Sequence, residues 1–269
     1  QLAPTAKRSM KRLTPNAFDL CEGFDSVLSE TAEGFNCWEL LTLYEVDMRL
    51  RPSGSKGPVA VSLGAFQRYQ AEDAWSWERM ALTRARVVAG PPALARRIGA
   101  AIRAALGNPE KAKTAIADAL AMRLRMLREL PGDGPWDVKL SPGGLVEVEF
   151  IAQALQLHHA PRHPEVLAPT TRLALGNLAK IGALRAEEAQ GLIAAERLWR
   201  GISGILRLTL GPWREDKLPE PAASAVLRVA APLCASPPVD LPGLRAQMEA
   251  SAALVRGVFE ARLGRLDQG

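Results

Sequence analysis

The sequence predicts a mainly α protein with a small strand-bearing head, and three observations carry that reading. From about residue 65 onward, apolar residues recur at spacings of three and four through segment after segment, the period of helices with one buried stripe. Upstream of them, LYEVDMRLRPSG (43–54) alternates strictly, with Tyr44, Val46, Met48 and Leu50 on one side and Glu45, Asp47, Arg49 and Arg51 on the other, the two-residue period of a strand. Within the helical part, PGDGP (131–135) sets two prolines and two glycines in five residues. Such a run neither continues a helix nor pairs as a strand, so it is the sharpest break in the chain.

Taken in order, residues 1–38 show neither period clearly, and no function is assigned to them. The strand then presents a charged face with two readings. Its acids and bases pair across a sheet, each pair contributing roughly 0.2–1 kcal/mol; or Asp47 holds a divalent metal while Arg49 and Arg51 grip phosphate oxygens in their planar forks. RPSGSKGP supplies turn chemistry, and PVAVSLGAF leads as an extended segment into a helix from Ala65 to Val88. On that helix Trp75, Glu78, Leu82 and Arg86 make one stripe and Trp77, Ala81, Arg84 and Val88 the opposite one, with the two tryptophans expected as buried anchors.

Two further helices follow, LARRIGAAIRAAL and EKAKTAIADALAMRLRMLREL, the second with Ile116, Leu120, Leu124 and Leu127 as its core stripe. Beyond the break, Asp137 and Lys139 share one face of a short extended piece, Ser141–Gly144 form a turn, and a helix starts near Leu145 with Glu147 and Glu149 in its first turns. A Gly-Gly turn entering a helix can cradle an anion. Two acids at that entrance better suit capping and interdomain hydrogen bonding, with Lys139 the one cation nearby. His158, His159 and His163 resemble a metal cluster, but Pro161 and Pro164 interrupt the helix that would align them. Farther on, Leu192, Ala195, Trp199, Ile202 and Leu206, and then Leu241, Leu244, Met248, Val255, Phe259 and Leu263, mark long helices expected to stack as a bundle.

Composition bounds the function classes. The 269 residues are 48% apolar, enough for a packed core. The three cysteines, Cys21, Cys37 and Cys234, are scattered without a CxxC pair, which suits a reduced cytoplasm. Apolar runs are broken by Arg or Glu before the ~20 residues of a membrane span. The net charge of +5 comes from arginines scattered along helices, and only 5% of residues are aromatic. No basic run is interleaved with aromatic rings, so a nucleic-acid partner is not expected.

In order along the chain, LYEVDMRLRPSGSKGPVAVSL, YQAEDAWSWERMALTRARVVAG and DVKLSPGGLVEVEFIAQALQL resemble the glutamine synthetase adenylyltransferase/adenylyl-removing family. The segment in which Trp75 and Trp77 precede ERMALTRARVV looks more like its adenylylating C-terminal half. The resemblance implies a partial nucleotidyltransferase head of the DNA polymerase β type (43–108) and a helical C-terminal domain (109–269), with 1–42 atypical. It implies transfer of AMP from ATP to a tyrosine of glutamine synthetase, with Mg²⁺, under control of a PII signalling protein and of glutamine as effector. Asp47 then is the catalytic metal ligand, and Arg49, Arg51 and Lys139 bind nucleotide phosphates. The family's upstream Gly-Ser-Asp-x-Asp motif has no counterpart before Leu43, so an N-terminally incomplete and weakly active or inactive chain is expected. The alternative is a helical module that binds glutamine synthetase or PII protein without catalysis.

Overall fold

The computed structural model describes residues 52–53, 57–58, 60–132, 134–211 and 215–266. Two compact units divide the chain, Gln1–Ala74 and Trp75–Gly269. Every regular element among the described residues is helical. The predicted strand, and with it Asp47, Arg49 and Arg51, lies outside the described residues; a few-stranded head is not among them, while the mainly helical class is.

In the first unit, α1 (Leu63–Glu72) begins where the Ser62 hydroxyl accepts from the Ala65 N–H at 3.2 Å, the usual role of an N-cap serine. The single helix expected from Ala65 to Val88 is corrected: α1 ends at Glu72, where the N–H groups of Asp73 and Ala74 both close onto the Tyr69 carbonyl. The second unit opens with α2 (Ser76–Leu82), whose N-cap Trp75 is extended and donates its N–H to Glu78 Oε2 at 2.9 Å. Residues 84–90 are not helical. The expected tryptophan anchors are corrected as well. Trp75 is 70% and Trp77 40% exposed, whereas Arg79 and Met80 are buried. Seven residues give a helix one inward face, and here Arg79 and Met80 occupy it.

Next come α3 (Pro92–Leu106), the one-turn α4 (Pro109–Ala112) and α5 (Ala115–Glu129). The predicted helix over 110–130 is thus divided, because the Asn108 side chain caps a separate first turn by accepting from Glu110 and Lys111. On α5 the deepest line is Ala115, Ala119 and Arg123, with Ile116, Leu120, Leu124 and Leu127 half-buried beside it. Small residues on that line let α5 approach its neighbour closely.

That neighbour is α6 (Leu145–His159), the axis of the bundle. It packs against α2, α5 and three later helices: α7 (Thr171–Lys180), α8 (Ala186–Thr209) and α10 (Leu241–Leu263). Eleven of its fifteen residues are buried, as in a helix apolar on nearly all sides. Leu192, Ala195, Trp199, Ile202 and Leu206 of α8 and Leu244, Met248, Val255, Phe259 and Leu263 of α10 are buried, as their spacing predicts, while Leu241, in the first turn of α10, is only partly buried. Each such large side chain contributes on the order of 1.5–3 kcal/mol by leaving water. The shorter α9 (Glu220–Ala230) lies against α8 and α10.

The predicted extended piece at Asp137–Leu140 is a turn instead. Asp137 Oδ1 accepts from the N–H groups of Lys139 and Leu140, both at 3.0 Å, and this local bond wins over an unpaired strand. Its alternation survives, with Trp136 and Val138 buried and Lys139 exposed.

Candidate functional site

Two acids enter α6 two residues apart, hence about 200° apart around its axis. They serve two different clusters. Glu147 is fully buried. Its Oε1 accepts from Arg123 Nε at 3.0 Å and Nη2 at 2.9 Å, and Arg256 Nη2 of α10 lies 3.3 Å away. Its Oε2 accepts from the Gly143 N–H at 3.0 Å. Arg123 also donates to the Leu140 carbonyl at 2.9 Å, and Trp199 Nε1 donates to the Gly143 carbonyl at 3.2 Å. One buried carboxylate therefore joins α5, α6, α10 and the Ser141–Gly144 turn.

This bonding decides what the turn can do. Gly143 N–H is taken by Glu147, Gly144 by Ser141, Leu145 by Val138 and Val146 by Lys139. An anion cradle needs those amides pointing at a ligand, and here they are spent on the fold. Outside the turn, a cleft of about 190 Å³ is bordered by Asp137, Ser141, Trp199, Met248 and Glu249 among others, and no lysine or arginine lines it. Its acids do not suit a phosphate. Lys139 is exposed and forms no ion pair with a described residue; the other predicted site residues, Asp47, Arg49 and Arg51, lie outside the described residues. The capping role of Glu147 is present, directed between helices of the bundle.

Glu149 faces the other way. Its Oε1 receives Arg84 Nη1 at 3.0 Å and Arg200 Nη2 at 2.8 Å. Arg200 Nε also pairs with Glu196, whose second oxygen lies 3.5 Å from Arg172 Nε. The carboxylates sit low, 17% and 4% exposed, while the three arginines are between 41% and 49% exposed. The result is a surface row of guanidinium groups held from beneath. Near it in sequence, burial pushes the Arg79 guanidinium below its usual value, against the pull of Glu78.

The histidines do other work: His158 Nδ1 is 3.4 Å from the Ala112 carbonyl and His163 Nδ1 3.1 Å from Glu165. Among the described residues no three acids, histidines or cysteines converge as a metal would require, nor is any helix long and apolar enough to cross a membrane.

The helical bundle with its Gly-Gly turn matches a known family model, GlnD PII-uridylyltransferase, over residues 122–262, and the segment ahead of it matches glutamate-ammonia ligase adenylyltransferase over residues 21–100. Among curated proteins, a bifunctional glutamine synthetase adenylyltransferase/adenylyl-removing enzyme of Caulobacter vibrioides is 44% identical over 82% of this chain. Those of Rhodopseudomonas palustris (strain TIE-1) and Bradyrhizobium diazoefficiens are 41% and 42% identical over the same share. The chain belongs to the glutamine synthetase adenylyltransferase family. It spans 22% of the length of these relatives.

Arg123, Arg256 and the Arg84–Glu149–Arg200 row were not legible as partners in the sequence of this family member. One signal was available: a charged residue, Arg123, stands on the small-residue line Ala115–Ala119 of α5, where only a paired charge is tolerated.

Proposed function

We propose that this chain takes part in moving AMP from ATP to a tyrosine hydroxyl of glutamine synthetase, in the cytoplasm, with pyrophosphate as the leaving group. The observation that carries this reading is the 41–44% identity, over 82% of the chain, to enzymes named for that activity. Asp47 is the residue proposed to hold Mg²⁺ and prepare the hydroxyl. Arg49, Arg51 and Lys139 are proposed to bind the phosphates. Bound Mg²⁺ supplies charge neutralisation on the phosphates. PII protein and glutamine are the proposed regulators.

A second reading rests on the match of residues 122–262 to the PII-uridylyltransferase model: a nucleotidyltransferase that uses UTP and modifies PII, or a helical module that binds without catalysis. Incubation of the chain with labelled ATP or UTP and with glutamine synthetase or PII protein separates these. Label from ATP on glutamine synthetase supports the first reading, label from UTP on PII protein the second, and stable binding without label the module.

A further inference from the structure

The Arg84–Glu149–Arg200 row has a form that exposed salt bridges seldom take. Its arginines come from three places: Arg84 follows α2, Arg172 is on α7 and Arg200 is on α8. All three are tied to carboxylates that are themselves mostly covered, Glu149 of α6 and Glu196 of α8. Three cations over two covered acids leave a net charge of +1 on the surface. Each anchored guanidinium spends one edge on its carboxylate and keeps further N–H donors directed elsewhere, since the group carries five in a fixed plane. Isolated exposed ion pairs contribute about 0–1 kcal/mol, so stability alone is a weak reason to converge so many elements here.

We infer that Arg84 and Arg200 form a polyphosphate-binding surface of the helical unit, in which Glu149 is the positioning residue that fixes their two forks. The ligand class is the di- or triphosphate group of a nucleotide or its pyrophosphate product. This rests on the nucleotidyl-transfer reading above, and it adds phosphate donors beyond Arg49, Arg51 and Lys139. Arginine forks match phosphate oxygens two at a time. Holding them in place before the ligand arrives lowers the ordering cost of binding.

The test uses the full 269-residue chain and inorganic tripolyphosphate, without Mg²⁺ and without an acceptor protein, titrated by calorimetry at fixed ionic strength. Because no transfer is measured, failure of the AMP-transfer reading leaves this result intact, and the reverse also holds. Binding is expected to weaken about tenfold in Arg84→Ala and in Arg200→Ala, the loss of a charge-assisted bond. Arg200→Lys, which keeps charge without the fork, should recover it only in part. Arg125→Ala, removing an exposed arginine of α5 paired, among the described residues, with Glu129, should change nothing. Glu149→Ala decides the matter, since removing a negative charge strengthens anion binding on a merely positive surface and weakens it where the acid holds the forks. Weaker binding in folded Glu149→Ala supports the inference. Stronger binding, equal loss in Arg125→Ala, or no binding by the parent chain overturns it.

Discussion

Arg123 and Glu147 are both fully buried, and two nitrogens of the one guanidinium, at 3.0 and 2.9 Å, meet a single oxygen of the other. The pair spans the Pro131–Pro135 break, so α5 and α6 are joined where the chain between them has no regular structure. Removing only the acid leaves Arg123 uncompensated at zero exposure. Glu147→Ala is therefore expected to lose about 3–5 kcal/mol of stability, read as a lower urea midpoint. In a double-mutant cycle, Arg123→Met with Glu147→Leu should cost less than the sum of the single changes.

Gly143 sits at φ +74°, and a Cβ there would lie 2.2 Å from the Ala252 carbonyl oxygen of α10. Gly143→Ala is expected to destabilise by at least about 1–3 kcal/mol, from backbone strain with the clash in addition. Gly204 and Gly257, inside α8 and α10, have open space where a Cβ would go. Alanine at either should stabilise by about 0.5–1 kcal/mol. Thermal unfolding of the three variants checks the contrast.

Trp75 is 70% exposed, so Trp75→Ala should shift stability by no more than about 0.5 kcal/mol. Trp199→Phe should cost about 1 kcal/mol, because it removes the hydrogen bond to Gly143 from a buried site. A larger effect at Trp75 than at Trp199 would contradict the burial described above.

Glu188, at the start of α8, tests the pH dependence of the bundle. Burial alone raises its pKa, but the Arg185 N–H at 2.8 Å and the guanidinium groups of Arg262 and Arg185 outweigh that and hold it below the usual carboxylate value. A carboxylate depressed in the folded state stabilises above its unfolded pKa, about 4.3 for Glu. That contribution is lost as pH falls from there through the lower folded value. Urea unfolding should show stability falling over this acid window, and Glu188→Gln should flatten the fall while lowering stability at pH 7.

Periodicity made most of the helical unit legible. Leu192 to Leu206 and Leu244 to Leu263 are buried as their spacing requires, and α6 starts at Leu145 as its Gly-Gly entrance indicates. It failed where local bonds outweighed it: at Asp73–Trp75, where carbonyl closure and the Glu78 cap divide one pattern into two helices, and at Asp137, whose side chain makes a turn from a strand-like alternation. Glu147 and Glu149 read alike in sequence. A 3.6-residue turn sends one into the core and the other to the surface, and only tertiary packing shows which arginines meet them. Asp47, Arg49 and Arg51 lie outside the described residues, so their role rests on the alternation of LYEVDMRLRPSG and on kinship with the family.

The most direct measurement is transfer of labelled AMP from ATP to glutamine synthetase by the 269-residue chain, beside the same chain carrying a family-type Gly-Ser-Asp-x-Asp strand upstream of Leu43. In-line displacement with two metals about 3.5–4 Å apart needs several carboxylates, and Asp47 is the one the sequence identifies. The expected result is little or no transfer by the chain alone, clear transfer with the added strand, and loss of that transfer on Asp47→Asn. Robust transfer by the chain alone, or transfer indifferent to Asp47→Asn, would contradict the assignment of Asp47 to one wall of a split active site.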